Sequence, residues 1–584
     1  MFPEVPEPAL AELGRTEGGA DTLALLIRDQ DTRRLLLLRA VLDAVQAADP
    51  ALCPPAAKAR LRTDWALLTE ADRTTPATAP GPSPGPAVPG PGEGTAVPGA
   101  RKGTAAPGAS AGAGVPGAGV GGAAPGASAG AGVSGTAGWV AAPGSSARNG
   151  AAGAGLGGVS SAGAAASGSS ARAVAPRVPA GGAASGLWGG EGASGAAGVH
   201  GSVARVRLCH PLLGPWARRC LAALDPRSGV PVDERRRELA RDLDYFSAVA
   251  AVAAARAGIG FTTDLTARDG LLVLPSLGAL RTAGPRVRVA YGQGRLTLDR
   301  TPVFLEHGSG AWSGSLAWTS AYALPGLVPG AAPVPLDDLD PYRVPPREPD
   351  QYALSGPAAP DDAERKRWLQ SWTGTAAALR TGGEGRLTEA LALLRCLVPL
   401  EVPPGSAGRG SCSGTRREAF GALLSSLPAT PAVFAATLVH EFQHTKLAAL
   451  SELVELHRAG PEARYFAPWR PDPRPYDGLF QGAYSHLALA DFFQRRALGG
   501  EPAHSESAWA QYARYHAQVG AALPALVASP DLTPAGRRFV DEMAATHERL
   551  AAHPAPSGHT ARAQAYVKAV RALWTQRQPR GESR

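Results

Sequence analysis

The sequence predicts an α+β fold, mostly α-helical, with a small antiparallel sheet and a long disordered low-complexity insert. Three observations predict it. Apolar residues recur at helical spacing through most of the chain, as in "DTLALLIRDQDTRRLLLLRAVLDAVQAA" at 21–48. One stretch, 270–307, instead alternates apolar with polar residues between glycine-containing turns. A third stretch, 76–200, is almost only Gly, Ala, Pro, Ser and Val. It has few large side chains to bury, so burial cannot offset the entropy of ordering it. Its "PGA" and "SAGAG" repeats lack the strict glycine period of collagen.

The 584 residues thus divide into an N-terminal helical part (1–75), the insert (76–200), a helical and small β region (201–400) and a C-terminal region (401–584). Leu23, Leu26, Ile27, Leu35 to Leu38, Val41, Leu42 and Val45 have the helical spacing of the first long helix, with Asp21 or Thr22 as its cap. Helices follow at 56–72, 210–224 and 235–258, the last with Gly258 as a C-cap. "RVRVAYGQGRLTL" reads as a hairpin turning at Gly292–Gly294. "LDDLDPYR" (336–343) is a turn or, with its clustered aspartates, a place for a hard cation. His210 reads as a capping or packing residue. Helices are expected at 361–382 and 386–400. Another starts at Thr430 as N-cap with Pro431 at N1 and runs through Leu456. Thr533 and Pro534 open one more, at 532–553.

The formal charge of +8 is spread along the chain without a basic run, so nucleic acid is not implied. A modest preference for acidic partners is. The five cysteines (Cys53, Cys209, Cys220, Cys396, Cys412) form no C-x-x-C, and their odd number argues against a disulfide framework. No C-x-x-x-C-x-x-C for a radical iron–sulfur site is present. "MFPEVPEPALAEL" is not a signal peptide, and no apolar run reaches membrane-spanning length, so the expectation is a cytoplasmic protein without a membrane partner.

Chemistry concentrates in "TLVHEFQHTKLAAL" (437–450). His440 and His444 are four apart on one helix face, where two imidazoles can share a metal. Glu441 is about 100° around the helix. It can stand beside the metal's open face or contact the residues that hold it. A third ligand is needed. His486, in the helical "DGLFQGAYSHLALADFFQRR", is favoured over Asp491, with His457 and His504 next. Between the two segments lies "YFAPWRPDPRPYDG", whose Arg470 and Arg474 have the planar fork that suits a carboxylate.

"LVHEFQHTKLAAL", "YFAPWRPDPRP" and "LFQGAYSHLALADFF", in that order and spacing, resemble the HExxH-type peptide-modification proteins. That family comprises 2-oxoglutarate-dependent peptide β-hydroxylases of RiPP biosynthesis, whose domains occur alone or fused behind cyclophane-forming radical SAM maturases. "HPLLGPWARRCLAAL", "DLDYFSAVAAVAAARAG", "LDDLDPYR" and "LTPAGRRFVDEM" also look like family segments, so the resemblance covers most of the chain outside the insert. It implies Fe(II) as metal, 2-oxoglutarate and O2 as cosubstrates, and a side-chain β-carbon of a ribosomal precursor peptide as target. A radical SAM maturase of the same pathway is an implied partner. His440 and His444 match the family's ligands, and His486 occupies the matching position of the second segment.

Two other readings stand beside this one. An H-E-x-x-H with Glu441 as general base is the pattern of zinc peptidases. Here the metzincin continuation H-x-x-G-x-x-H is absent and 477–496 contains no Glu to serve as a gluzincin ligand. The third reading is a non-catalytic peptide-binding protein. The strands of 270–305 can pair with an extended peptide under any of the three.

Overall fold

The structure is a computed structural model that describes residues 4–74, 140–141, 202–306, 310–344, 355–402, 411–499 and 502–577. The expected disordered insert lies outside the described residues, apart from a two-residue strand at Val140–Ala141. The described residues on its two sides, 4–74 and 202–577, belong to one compact unit. The class is α+β and mostly helical.

The first long helix, Ala20–Ala47, links two hydrophobic cores. At about 1.5 Å per residue it is long enough to serve both. Leu23 and Leu26 enter a core with the C-terminal helices, while Leu38, Val41 and Val45 enter a second with helices Pro55–Arg73, Leu213–Leu224 and Val232–Arg256. Neither Asp21 nor Thr22 caps it. Gly19 holds the cap position, and the Thr22 hydroxyl donates to Glu12 instead.

Val232–Arg256 is buried on two faces because its side chains there are small. Leu239, Phe246, Val249 and Ala250 face the helices; Ala248, Ala251, Val252 and Ala255 face the sheets. Gly258, at φ +77°, ends it as expected. The sheets it supports are antiparallel. One has five strands, in the order Phe261–Thr266, Arg286–Gly292, Arg295–Leu298, Thr301–Glu306, Gly310–Trp312. The expected hairpin is there: Gly292 pairs with Arg295, and Gln293 and Gly294 turn at φ 51° and 73°. A three-stranded sheet, Leu271–Leu274, Gly278–Arg281 and Trp318–Ser320, completes this layer.

Two expectations are corrected. The stretch 386–400 is not one helix: Glu384–Leu393 is helical and Cys396–Leu400 is a strand. All five strand residues are buried, so they show no alternation and read as a helix tail. This strand runs parallel to Ala422–Ser426 inside a mixed sheet of the described residues that the sequence did not suggest. The helix at 361–382 is two, Asp362–Trp372 and Thr375–Thr381, broken at Gly374 with φ +91°. The motif helix also ends early, at Leu453.

Candidate metal centre

The motif helix is Pro431–Leu453, and the Thr430 hydroxyl accepts from Val433 N at 3.2 Å as its cap. The second site helix is Tyr476–Gly499. The two pack side by side, and a cleft opens between them and the loop before the second helix. It encloses about 940 Å³ of empty space, counting the part open to solvent. His440, His444, His486, Arg470 and Arg474 all line it.

His440 Nε2 and His444 Nε2 are 3.1 Å apart. With metal–nitrogen bonds of about 2.1 Å, that separation subtends roughly 95° at a shared ion. His444 Nδ1 lies 3.1 Å from Gln481 Oε1. The amide oxygen accepts the Nδ1 proton, which leaves the Nε2 lone pair facing the cleft. His486 sits across from them, its ring centroid 5.8 Å from that of His440. Trp469 and Tyr515 hold its ring edge-to-face at 4.7 and 5.0 Å. Gly482 is what lets Trp469 lie there, since a Cβ would meet the indole at 2.2 Å.

Burial keeps the three imidazoles neutral, and so ready as ligands. It lowers His440 well below the usual range, with His444 and His486 adding to the effect. It lowers His444 as well, and takes His486 down to about 3. His486 Nδ1 is buried without a hydrogen-bond partner. The facing Nε2 pair is spaced for a shared metal, and the orphaned nitrogen belongs to a third imidazole on the same cleft wall, which as placed stands too far away to close on the same ion. The three are not drawn into a closed cluster, however: among the described residues only His210, Asp337 and Cys396 bring three ligand atoms within 4.8 Å of one another.

The other candidates are placed elsewhere. Asp491 accepts from Arg386 at 3.2 Å and from Arg495 at 2.9 Å, and does not line the cleft. His457 lies 3.7 Å from Asp477, also off the cleft. The His504 side chain is outside the described residues.

Glu441 is not among the residues that line the cleft, though its partner Thr415 is. It is fully buried, and its Oε1 accepts from the Ser413 hydroxyl at 2.7 Å. Burial pushes its carboxyl up to about 8 against hydrogen bonds from Ser413 and Thr415 that favour the ionised form. The two arginines differ as well. Arg470 is clasped by Asp472 at 2.8 and 2.7 Å. Arg474 is only 3% exposed, and burial, then repulsion from Arg470, lowers it to about 10.

Sequence reading did not find Gln481, Trp469 or Ser413. Gln481 had a signal in retrospect: it is on the His486 helix, one turn before Ser485, which also lines the cleft. Ser413 had none, coming from a strand 28 residues upstream.

No family model matches the chain, and no curated protein matches it.

Proposed function

We propose that this protein is an iron- and 2-oxoglutarate-dependent oxygenase that hydroxylates a side-chain β-carbon of a ribosomal precursor peptide. His440, His444 and His486 would hold the metal. Iron, with O2 as the oxidant and 2-oxoglutarate as the co-reductant, would supply the chemistry of C–H hydroxylation: one oxygen atom goes to the β-carbon and the other to succinate, released with CO2. The chain's own residues position the reactants. Gln481 sets the His444 tautomer. Arg474, a guanidinium on the cleft wall, would grip the distal carboxylate with its planar fork. Trp469 walls the cleft against water.

The observation that carries this reading over a zinc peptidase is the placement of Glu441. A peptidase needs that carboxylate ionised and beside the metal-bound water. Here it is fully buried, its Oε1 is held by the Ser413 hydroxyl, and it is not among the residues that line the cleft. The resemblance of 437–496 to the peptide β-hydroxylases supports the same side. Cytoplasmic residence and a radical SAM partner remain part of this proposal; among the described residues, no helix is long and apolar enough to cross a membrane.

The test is anaerobic reconstitution of the full chain with Fe(II), then addition of 2-oxoglutarate. A weak visible charge-transfer band, absent in His440→Ala, is the expected result. Tight zinc, indifference to 2-oxoglutarate and peptide cleavage would overturn it.

A further inference from the structure

A second cluster of ligand-type side chains lies away from this cleft. Three segments distant in sequence meet there. His210 stands in the turn between helices Val203–Leu208 and Leu213–Leu224. Asp337 follows the strand Val334–Leu336, and Cys396 opens the strand Cys396–Leu400. The two strands are parallel neighbours, and Asp337 N donates to Leu397 O at 2.7 Å, which fixes Asp337 beside Cys396. The imidazole nitrogen, carboxylate oxygen and thiol sulfur all lie within 4.8 Å of one another.

The surroundings are those of an ion site with one way in. Cys396 is fully buried, while the His210 and Asp337 side chains keep 11% and 14% exposure. A small cavity adjoins Asp337. Asp337 Oδ2 is 3.1 Å from His210 Nε2 without an aligned hydrogen bond, while burial pushes this carboxyl up and the His210 ring and Cys396 thiol together hold it below its usual range. Leu212 N donates a long 3.4 Å contact to His210 Nδ1, which turns Nε2 toward Asp337; a metal at Nε2 would move the ring proton to Nδ1 and give up this contact. Asp340 is not available as a ligand, since it accepts from the Tyr245 hydroxyl at 2.7 Å and from Tyr342 N at 2.8 Å.

We propose that His210, Asp337 and Cys396 form a second metal site, for a zinc-like divalent transition metal, that ties the helix turn at His210 to the mixed sheet. The donor set decides the class of ion. Nitrogen, oxygen and sulfur donors together suit zinc, cobalt or a similar ion and disfavour magnesium and calcium, which take oxygen alone. Binding would exchange the Cys396 thiol proton for a metal–sulfur bond: M2+ and Cys–SH give (M–S–Cys)+ and H+. The thiolate and the Asp337 carboxylate then balance the charge of the ion. A water completes four-coordination, since three protein ligands are present.

The sulfur makes the site distinguishable from the histidine centre. Metal-free full-length protein is titrated with Co(II), and absorption in the near ultraviolet is followed for thiolate-to-cobalt charge transfer. His440, His444 and His486 have no sulfur and cannot give that band. The expected result is a band that saturates at one equivalent, persists in His440→Ala/His444→Ala, and is lost in Cys396→Ala. Asp337→Asn, which keeps shape and tests the site should the cysteine variant misfold, is expected to weaken Co(II) at least tenfold. A wild-type protein without the band, or a band that survives Cys396→Ala, overturns the proposal: the trio is then a hydrogen-bonded packing cluster, or another thiol is the ligand.

Discussion

The amide oxygen of Gln481 lies 3.1 Å from Nδ1 of His444, and this contact sets which nitrogen of the imidazole faces the cleft. Groups that fix a ligand's tautomer typically change metal affinity by about 10–100-fold when removed. Gln481→Ala is therefore expected to weaken Fe(II) binding by that order while circular dichroism and thermal stability stay near wild type. Gln481→Glu, which still accepts from Nδ1, is expected to bind Fe(II) at least as well as wild type. Equal metal affinity in wild type and Gln481→Ala would show that the tautomer is set some other way.

Arg474 and Arg470 should separate in their effect on 2-oxoglutarate. The Arg470 fork is closed on Asp472, and Arg474 is the more deeply buried of the two at the cleft wall. Arg474→Gln is expected to raise the 2-oxoglutarate concentration for half-maximal charge-transfer absorbance by about tenfold or more, a loss of roughly 1.4 kcal/mol. Fe(II) affinity should hardly change. Arg470→Gln should shift the same midpoint less. A larger shift for Arg470 would reverse the assignment.

Lys446 shows what holds the motif helix in place. It is two residues past His444, hence about 200° around the helix, on the face away from the cleft. Fully buried, it donates to Glu389 at 2.6 Å and to the carbonyls of Thr16 and Glu17 at 3.1 Å. Arg386 and Asp491 join the same network. Two cations and two anions thus pin the N-terminal segment to the back of the metal helix. Removing one partner leaves a buried charge unbalanced, which costs about 3–5 kcal/mol. Lys446→Met is expected to lose stability on that scale in urea unfolding, and Lys446→Met/Glu389→Met less than the sum of the singles. Strict additivity would mean the pair is not coupled.

The residues that were legible in the sequence are those whose chemistry is rare. His440, His444, His486 and the two loop arginines stood out by type and spacing, and the cleft brings all five together. Asp491 stayed a ligand candidate behind His486 because no sequence pattern shows Arg386 arriving from 105 residues away to bind it. The hairpin at Gln293–Gly294 was readable because positive φ at both positions demands such residues. The Cys396–Leu400 strand was not, because a strand buried on both faces loses the period that identifies it. The break at Gly374 was hidden too, since a single glycine is tolerated within a helical pattern.

Stability should depend on pH through a histidine pair outside both sites. His516 and His547 stack with centroids 4.0 Å apart and planes at 11°. Each ring lies within hydrogen-bond reach of the other's backbone carbonyl, Nε2 to oxygen, at 3.2 and 3.0 Å. Burial, then the neighbouring ring, lowers His516 from 6.5 to about 4; burial lowers His547 as well. Between those values the unfolded chain binds more protons than the folded one. The stability from this pair is therefore full above pH 6.5 and lost as the pH falls toward 4. His516→Gln/His547→Gln, whose amides do not titrate, is expected to flatten the urea midpoint over that window. An unchanged slope would place the acid sensitivity elsewhere.

A peptide is expected to dock on the five-stranded sheet. Phe261–Thr266 is an edge strand of the five-stranded sheet, pairing with Arg286–Gly292 on one side. On the exposed face of that neighbour stand Arg286 and Arg288, and Arg295 stands on the next strand; among the described residues none of the three has an ion pair. Arg295 is in register with Phe304, which stacks on Trp312 at 4.7 Å with both rings partly exposed. An extended acidic peptide can add a strand at such an edge while its carboxylates meet the arginines. Under the proposed function, Arg286→Glu/Arg288→Glu is expected to weaken precursor-peptide binding at least tenfold at low salt and to flatten its salt dependence. The 2-oxoglutarate charge-transfer band should be untouched. Unchanged peptide affinity in this variant, with the band intact, would move the docking surface off this sheet and leave the metal centre's assignment standing.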